Sequence, residues 1–211
     1  MTRPRRALLS SPAMIRLFGT TTSPYVRRVR VVAHELGLGC ELIDTTTEAG
    51  QAALRERTPI AKVPAAEIAG ELVFDSHVIS ELLVARHGAG KLAPLPIDDV
   101  EARNVISVID GALDALINCL YLARDGVGRA ESAYVAKQHE RAAASLAWLE
   151  ARIADGWLTA RHELGLPEVA LVTTLGWMRF RAMAPIEDYP KLLARFEELD
   201  ARESFASTRP G

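Results

Sequence analysis

The sequence predicts an α/β domain followed by an all-helical domain, that is, α/β plus all-α. Three observations predict it. From Met14 to His87, short apolar runs alternate with helix-period stretches in the order βαβ, a weak helix or loop, then ββα. Gly88 to Pro96 (GAGKLAPLP) is rich in Gly and Pro and reads as a linker. Beyond it, every long segment has helical periodicity. The expected division is 14–87 for the α/β domain, 88–96 for the linker and 97–211 for the helical domain.

Met1 to Ala13 (MTRPRRALLSSPA) stands apart, with three arginines and no acid. Its apolar stretch, Ala7-Leu8-Leu9, is too short for a secretory signal. It reads as a frayed, disordered extension or as an upstream start with Met14 as the working one, and otherwise as a basic targeting arm. Met14 to Phe18 (MIRLF) then reads as a buried strand bounded by Gly19. Pro24 suits the first helical position after an N-cap Ser23, and Val26, Val29, Val32, Ala33 and Leu36 recur at helical spacing up to Gly37. Cys40 to Asp44 (CELID) is a second strand, joined to the first by that helix and so parallel to it. Thr45 to Arg57 is polar, with a weak helix over its second half. Val63 to Ile68 and Leu72 to Phe74 flank Ala69-Gly70 as a hairpin. Asp75-Ser76 caps the next helix, whose expected inner face is Val78, Ile79, Leu82 and Leu83. In the second half, helices are expected over Asp98 to Arg124, Glu131 to Ala154, Pro167 to Arg181 and Pro190 to Arg202. The third is apolar nearly all round and should be the buried one.

Composition narrows the function. The 211 residues are 49% hydrophobic and 25% charged, an ordinary globular balance. Lys and Arg number 25 against 27 Asp and Glu, so no global field favours nucleic acid or an anionic membrane. Two cysteines, Cys40 and Cys119, form no CxxC pair, which argues against a disulfide framework or a cysteine-rich zinc site and fits a reducing cytoplasm. Both are expected in the core. His34, His77, His87, His139 and His162 have no metal-ligand spacing, and no metal is expected. No uninterrupted apolar run reaches the roughly 18 residues of a membrane span.

Three motifs sit at strand ends. Ser23-Pro24 opens a helix after the first strand, where unpaired N–H groups favour anions and a hydroxyl can donate to a thiolate. Ser23 also reads as a plain N-cap, and Thr20, Thr21 and Thr22 offer alternative hydroxyls. Lys62-Val63-Pro64 opens the third strand. A cis bond there would turn the Val63 amide and carbonyl outward, for an extended peptide to pair with. Asp75-Ser76 offers a hydroxyl and helix-start amides to a ligand carboxylate. Together the three could converge on one small extended peptide. Arg27-Arg28-Val29-Arg30 reads as a solvated face, one arginine near a ligand being the exception.

The chain resembles a bacterial cytosolic glutathione transferase. The resemblance lies in Thr22-Ser-Pro-Tyr-Val-Arg-Arg-Val29, Thr58-Pro-Ile-Ala-Lys-Val-Pro64 and Phe74-Asp-Ser-His-Val-Ile79. Leu175-Gly-Trp-Met-Arg-Phe-Arg181 and Pro190 to Phe205 are similar to the family's last helices. It covers residues 14 to 211 and implies a thioredoxin-like N-terminal domain, an all-helical C-terminal domain and a homodimer in the cytoplasm. It implies glutathione as co-substrate, an electrophilic apolar second substrate and a detoxifying role. By motif, Ser23 resembles the serine that hydrogen-bonds the glutathione sulfur. Val63 is similar to the backbone partner of the cysteinyl residue and Lys62 to the lysine near the glycyl carboxylate. Asp75 and Ser76 are similar to the pair gripping the γ-glutamyl end. Asp110 lies where some relatives reach the neighbouring subunit's ligand. A second-substrate surface is expected at Leu113, Leu116, Ile117 and Tyr121.

The pattern departs from the family at Thr58 for Asn, Ala61 for Gly, and Gly165 with Glu168 for a hydroxyl cap with Asp. The first loop has no Cys, which argues against thiol exchange. A glutathione-dependent isomerase or dehalogenase, and a non-catalytic glutathione- or protein-binding member, are the alternatives.

Overall fold

The computed structural model describes residues 14–211, and the expectation of a disordered extension over 1–13 lies outside the described residues. Strand β1 (Met14–Gly19), helix α1 (Pro24–Glu35) and strand β2 (Gly39–Asp44) form the βαβ unit. Helix α2 (Glu48–Arg57) leads to the hairpin β3 (Ala65–Ile68) and β4 (Glu71–Phe74), and α3 (Ser76–His87) follows. The sheet order is β2-β1-β3-β4, with β1 parallel to β2 and antiparallel to β3, and β3 antiparallel to β4. This is the thioredoxin-like arrangement. The helical part contains α4 (Val100–Arg124), α5 (Ala133–Arg152), α6 (Leu166–Arg181), α7 (Pro190–Asp200) and a short α8 (Glu203–Ala206), with a 3-10 turn at Ile186–Asp188. Among the described residues no strand follows Phe74; one isolated bridge joins Ala154 and Trp157.

Local chemistry explains most boundaries. The Ser23 hydroxyl accepts from the Val26 N–H (3.3 Å) and Pro24 opens α1, so cap and first-turn proline act together. Thr47, Asp99 and Ser132 cap α2, α4 and α5 in the same manner. Helix α7 is capped from outside. Both carboxylate oxygens of Glu150 on α5 accept from its first-turn amides, Lys191 N at 3.0 Å and Leu192 N at 2.9 Å. The strongly apolar α4 matches a membrane span by composition, with a mean hydropathy of 1.7 over its window, but it is a core helix packed on α5 and α6.

Helix α1 is buried between the two halves, packing on α3 on one side and on α6 and α8 on the other. Its arginines are the main correction to the expected solvated face: Arg27 and Arg28 are each only 2% exposed. Arg27 Nη2 donates to Asp200 (2.6 Å) and to the Phe205 carbonyl (3.0 Å). At the end of α1, Glu35 accepts two parallel hydrogen bonds of 2.7 Å from Arg202 and one from Ser204 (2.5 Å). Burial alone would raise the Glu35 carboxyl, but these donors outweigh it and hold it below its usual range. Two smaller expectations also fail. Val78 is exposed because α3 turns another face inward, and Cys40 is exposed on the edge strand β2.

Two predictions follow from buried groups in α6. A Cβ on Gly176 would lie 2.3 Å from Arg27 Nη1. Gly176→Ala would gain helix propensity of up to ~1 kcal/mol, but Arg27 is pinned and cannot yield cheaply. The expected outcome is net destabilisation of about 1–3 kcal/mol, read as a lower urea midpoint. Glu168, 1% exposed, accepts from Gly165 N (3.1 Å) through Oε2, while Oε1 has no partner. Burial pushes its carboxyl up to about 7, against the Glu168 and Gly165 amides and the nearby Arg195 charge. A raised folded-state pKa gives stability that is full below the unfolded value near 4.5 and is lost as pH rises to 7. Glu168→Gln keeps a carbonyl acceptor for Gly165 and should remove that loss, on the order of 3 kcal/mol, from the pH–stability profile. Parallel profiles for wild type and variant between pH 5 and 8 would refute the assignment.

Candidate functional site

The cleft between the α/β domain and α4 holds a cavity of about 240 Å³ lined by Tyr25, Ile60, Lys62, Val63, Pro64, Asp75, Ser76, His77, Asp110 and Asp114. Four stretches remote in sequence meet there, the first of them α1 through Tyr25. The α2–β3 loop brings Lys62 and Val63, the start of α3 brings Asp75, Ser76 and His77, and α4 brings Asp110 and Asp114 one turn apart. Lys62, Val63, Asp75 and Ser76 thus share one wall, as their motifs suggested. Ser23 does not line the cavity, although Tyr25 two residues on does.

The loop before β3 is tightly shaped. Thr58 ends α2, buried, with its Oγ1 accepting from Ile60 N (3.3 Å). Ala61 takes a φ of 45°, a left-handed conformation that explains why glycine suits this position. The Val63–Pro64 peptide is cis. At α3, Asp75 is the N-cap, its Oδ1 accepting from His77 N (2.8 Å) and Val78 N (3.3 Å). Its φ of 72° places it in a sparsely populated region, a strain of about 1–3 kcal/mol of the kind that collects at ligand-gripping turns.

Behind this wall lies a charge cluster that the sequence did not reveal. Arg28 donates from Nη1 to Ser76 Oγ (3.0 Å) and from Nη2 to Asp110 Oδ1 (2.7 Å). His77 Nε2 lies 2.6 Å from Arg28 Nη1 and is hydrogen-bonded to Asp110 Oδ2. Burial acts to raise the Asp110 carboxyl, but the His77 hydrogen bond and the Arg28 charge prevail and hold it low. Both Asp110 oxygens accept hydrogen bonds within the chain. The Tyr25 hydroxyl donates to Asp114 across the cleft mouth. Burial, reinforced by that hydrogen bond, raises the phenol far above its usual range and keeps it protonated.

The expected second-substrate surface is only partly present. Leu113 and Leu116 are buried in the core, because that side of α4 packs on α5 and α6. The face toward the cavity carries Asp110 and Asp114 instead. In the first loop, Thr20 and Thr22 pair with each other (3.3 Å), and Thr21 donates to the Gly211 carbonyl (2.6 Å).

Two family models match the chain: the glutathione S-transferase N-terminal domain over residues 17–91 and the C-terminal domain over residues 132–194. The GST-like protein YibF of Escherichia coli is 31% identical over 201 residues, covering 93% of this chain and 98% of its own. The chain belongs to the glutathione S-transferase family. A family member from Methylobacillus flagellatus, solved with glutathione bound, superposes with a TM-score of 0.82 at 26% identity, covering 93% of this chain and all of that one (100%). A transferase from Methylobacterium radiotolerans, in complex with glutathione sulfonate, gives 0.79 at 28%, covering 93% and 95%. Glutathione S-transferase 4 of maize is 25% identical over 204 residues, covering 92% of this chain and 91% of its own.

The Arg28–Asp110 pair gives a stability prediction. Asp110→Ala leaves a buried guanidinium without its counter-charge. Because Asp110 is itself 24% exposed, the cost falls below the ~3–5 kcal/mol of a fully buried broken pair, at about 2 kcal/mol. The measurement is the denaturant midpoint without ligand, and an unchanged midpoint would show that the pair contributes nothing.

Proposed function

We propose that this transferase-family chain binds glutathione in the cavity between its two halves and uses it as a thiolate nucleophile toward an electrophilic small molecule. The convergence of Lys62, Val63, Asp75 and Ser76 on one wall carries the reading. The Val63 backbone pairs with the cysteinyl residue, and Lys62 meets the glycyl carboxylate. Asp75 faces the γ-glutamyl ammonium, its two cap bonds both ending on Oδ1, and Ser76 donates to the γ-glutamyl carboxylate. Ser23 is the thiolate donor. Its oxygen accepts from Val26 N, which leaves its proton for the sulfur. A free thiol has a pKa of ~8.5, and lowering it by two units corresponds to ~2.7 kcal/mol. One hydroxyl and a helix N-terminus supply that order of energy.

A homodimer completes the proposal. Val78 on α3, Ile97 in the segment before α4, and Val100 at the start of α4 are exposed apolar side chains that a second copy would cover. A second reading, non-catalytic glutathione binding, is favoured by one observation: Ser23 stands outside the cavity lining.

Calorimetric titration with glutathione, followed by turnover with chlorinated, epoxide and peroxide acceptors, tests the reading. Ser23→Ala should keep glutathione affinity within a few-fold, since about 1 kcal/mol of hydrogen bond is removed. It should raise the bound thiol pKa by about one unit and lower turnover most at pH 6.5, with partial recovery in alkali. An unchanged pH–rate profile would move the donor role to Thr21, Thr22 or the helix amides. A wild type that binds glutathione without shifting its thiol pKa would establish the non-catalytic reading.

A further inference from the structure

We propose that Arg28 is a positioning residue for glutathione, acting through the Ser76 hydroxyl it holds; this rests on the glutathione reading above. The guanidinium comes from α1, outside the cavity lining, and is 2% exposed. It touches the cavity wall from behind. Nη1 donates to Ser76 Oγ at 3.0 Å, and Nη2 is fixed to Asp110 at 2.7 Å. The ring of Tyr25 lies 5.6 Å from the guanidinium carbon. A serine hydroxyl has one proton and two lone pairs. With one lone pair filled by Arg28, and with arginine unable to accept, the Ser76 proton must point away from the guanidinium. The remaining direction serves a carboxylate in the cavity.

The arrangement also explains why an arginine is buried at this point. A bare guanidinium at such depth is costly, and packing alone would be served by an aliphatic side chain. Here its fork spans two acceptors on different helices, Ser76 on α3 and Asp110 on α4, in a fixed planar geometry that a flexible lysine ammonium does not impose. Its Nε has no partner, so the group is placed by its terminal nitrogens alone. Ser76 is held from its other end as well, its carbonyl accepting from Ser80 Oγ (2.6 Å). The fork therefore sets a hydroxyl whose backbone is already fixed. The buried positive charge adds attraction for a carboxylate without contacting it.

The test is a cycle over protein and ligand. Wild type, Arg28→Lys, Ser76→Ala and the double variant are titrated with glutathione and with 4-aminobutyryl-cysteinylglycine, which lacks the γ-glutamyl α-carboxylate but keeps the ammonium. Arg28→Lys should weaken glutathione about 5- to 10-fold, the size of one ordinary net hydrogen bond. The double variant should be no weaker than Ser76→Ala alone, and the truncated peptide should bind all four proteins alike. Equal weakening of both peptides by Arg28→Lys, or additive losses in the double variant, would overturn the role and leave the glutathione reading standing. A wild type that binds neither peptide would sink both. Asp110→Asn, which loosens the guanidinium while keeping it, must show the same selective loss for glutathione, and this covers the case in which Arg28→Lys does not fold.

Discussion

The rest of the structure depends on two adjacent arginines of one helix being buried toward different partners. Consecutive helical residues point about 100° apart, so Arg27 and Arg28 cannot serve the same partner. Arg27 reaches the helical half, to Asp200 and the Phe205 carbonyl, and Arg28 reaches the cavity wall, to Ser76 and Asp110. Each guanidinium is desolvated, so each requires its acceptors to be in place. Helix α1 therefore joins the halves and the site through one rigid element. Asp200 also accepts from Arg209 at 2.7 Å, and the Glu35–Arg202 pair repeats the link at the far end of α1. Gly176, with no side chain, leaves the space that Arg27 fills.

Much of this was legible in the sequence, and the gaps have physical causes. Pro24 after Ser23, and Asp75 before Ser76, mark helix starts because capping is local chemistry. The hairpin at Ala69-Gly70 reads the same way, both residues having positive φ. The weak helix after Thr45 proved to be a full α2 starting at Glu48, since its single buried Leu54 gives little apolar period to read. Of the cavity lining, Lys62, Val63, Asp75 and Ser76 are legible because each motif lies at a strand or helix end. Arg28 was missed because charge on a helix signals solvent unless the partner is known, and its partners stand 48 and 82 residues away. The Glu150 cap of α7 was missed for the same reason, its separation being 41 residues.

The cavity face of α4 bears on the second substrate. Its apolar positions at Ile109, Leu113 and Leu116 belong to the core, and what remains toward the cavity is Asp110 and Asp114. Helical periodicity cannot tell which apolar stripe meets a neighbouring helix and which meets a ligand, so Leu113 and Leu116 looked like pocket residues. With Asp110 paired to Arg28 and hydrogen-bonded to His77, Asp114 is the other α4 carboxylate facing the cavity, and its partner among the described residues is Tyr25.

That sharing bears on which hydroxyl meets the sulfur. Two stand near the start of α1, the Tyr25 phenol and the Ser23 alcohol. The phenol lines the cavity, which favours it by position. Its single proton is given to Asp114, and to donate to a thiolate it would have to leave a carboxylate that already raises its pKa. A thiolate beside Asp114 would also meet a like charge, which disfavours ionisation of the thiol. Ser23 has no such competitor. Its oxygen accepts from Val26 N, its proton is unused by that bond, and the helix N-terminus beside it favours an anion. Hydrogen-bond accounting thus supports the proposal of Ser23 as thiolate donor, with Tyr25 and Asp114 forming a bridge between α1 and α4 at the edge of the cleft.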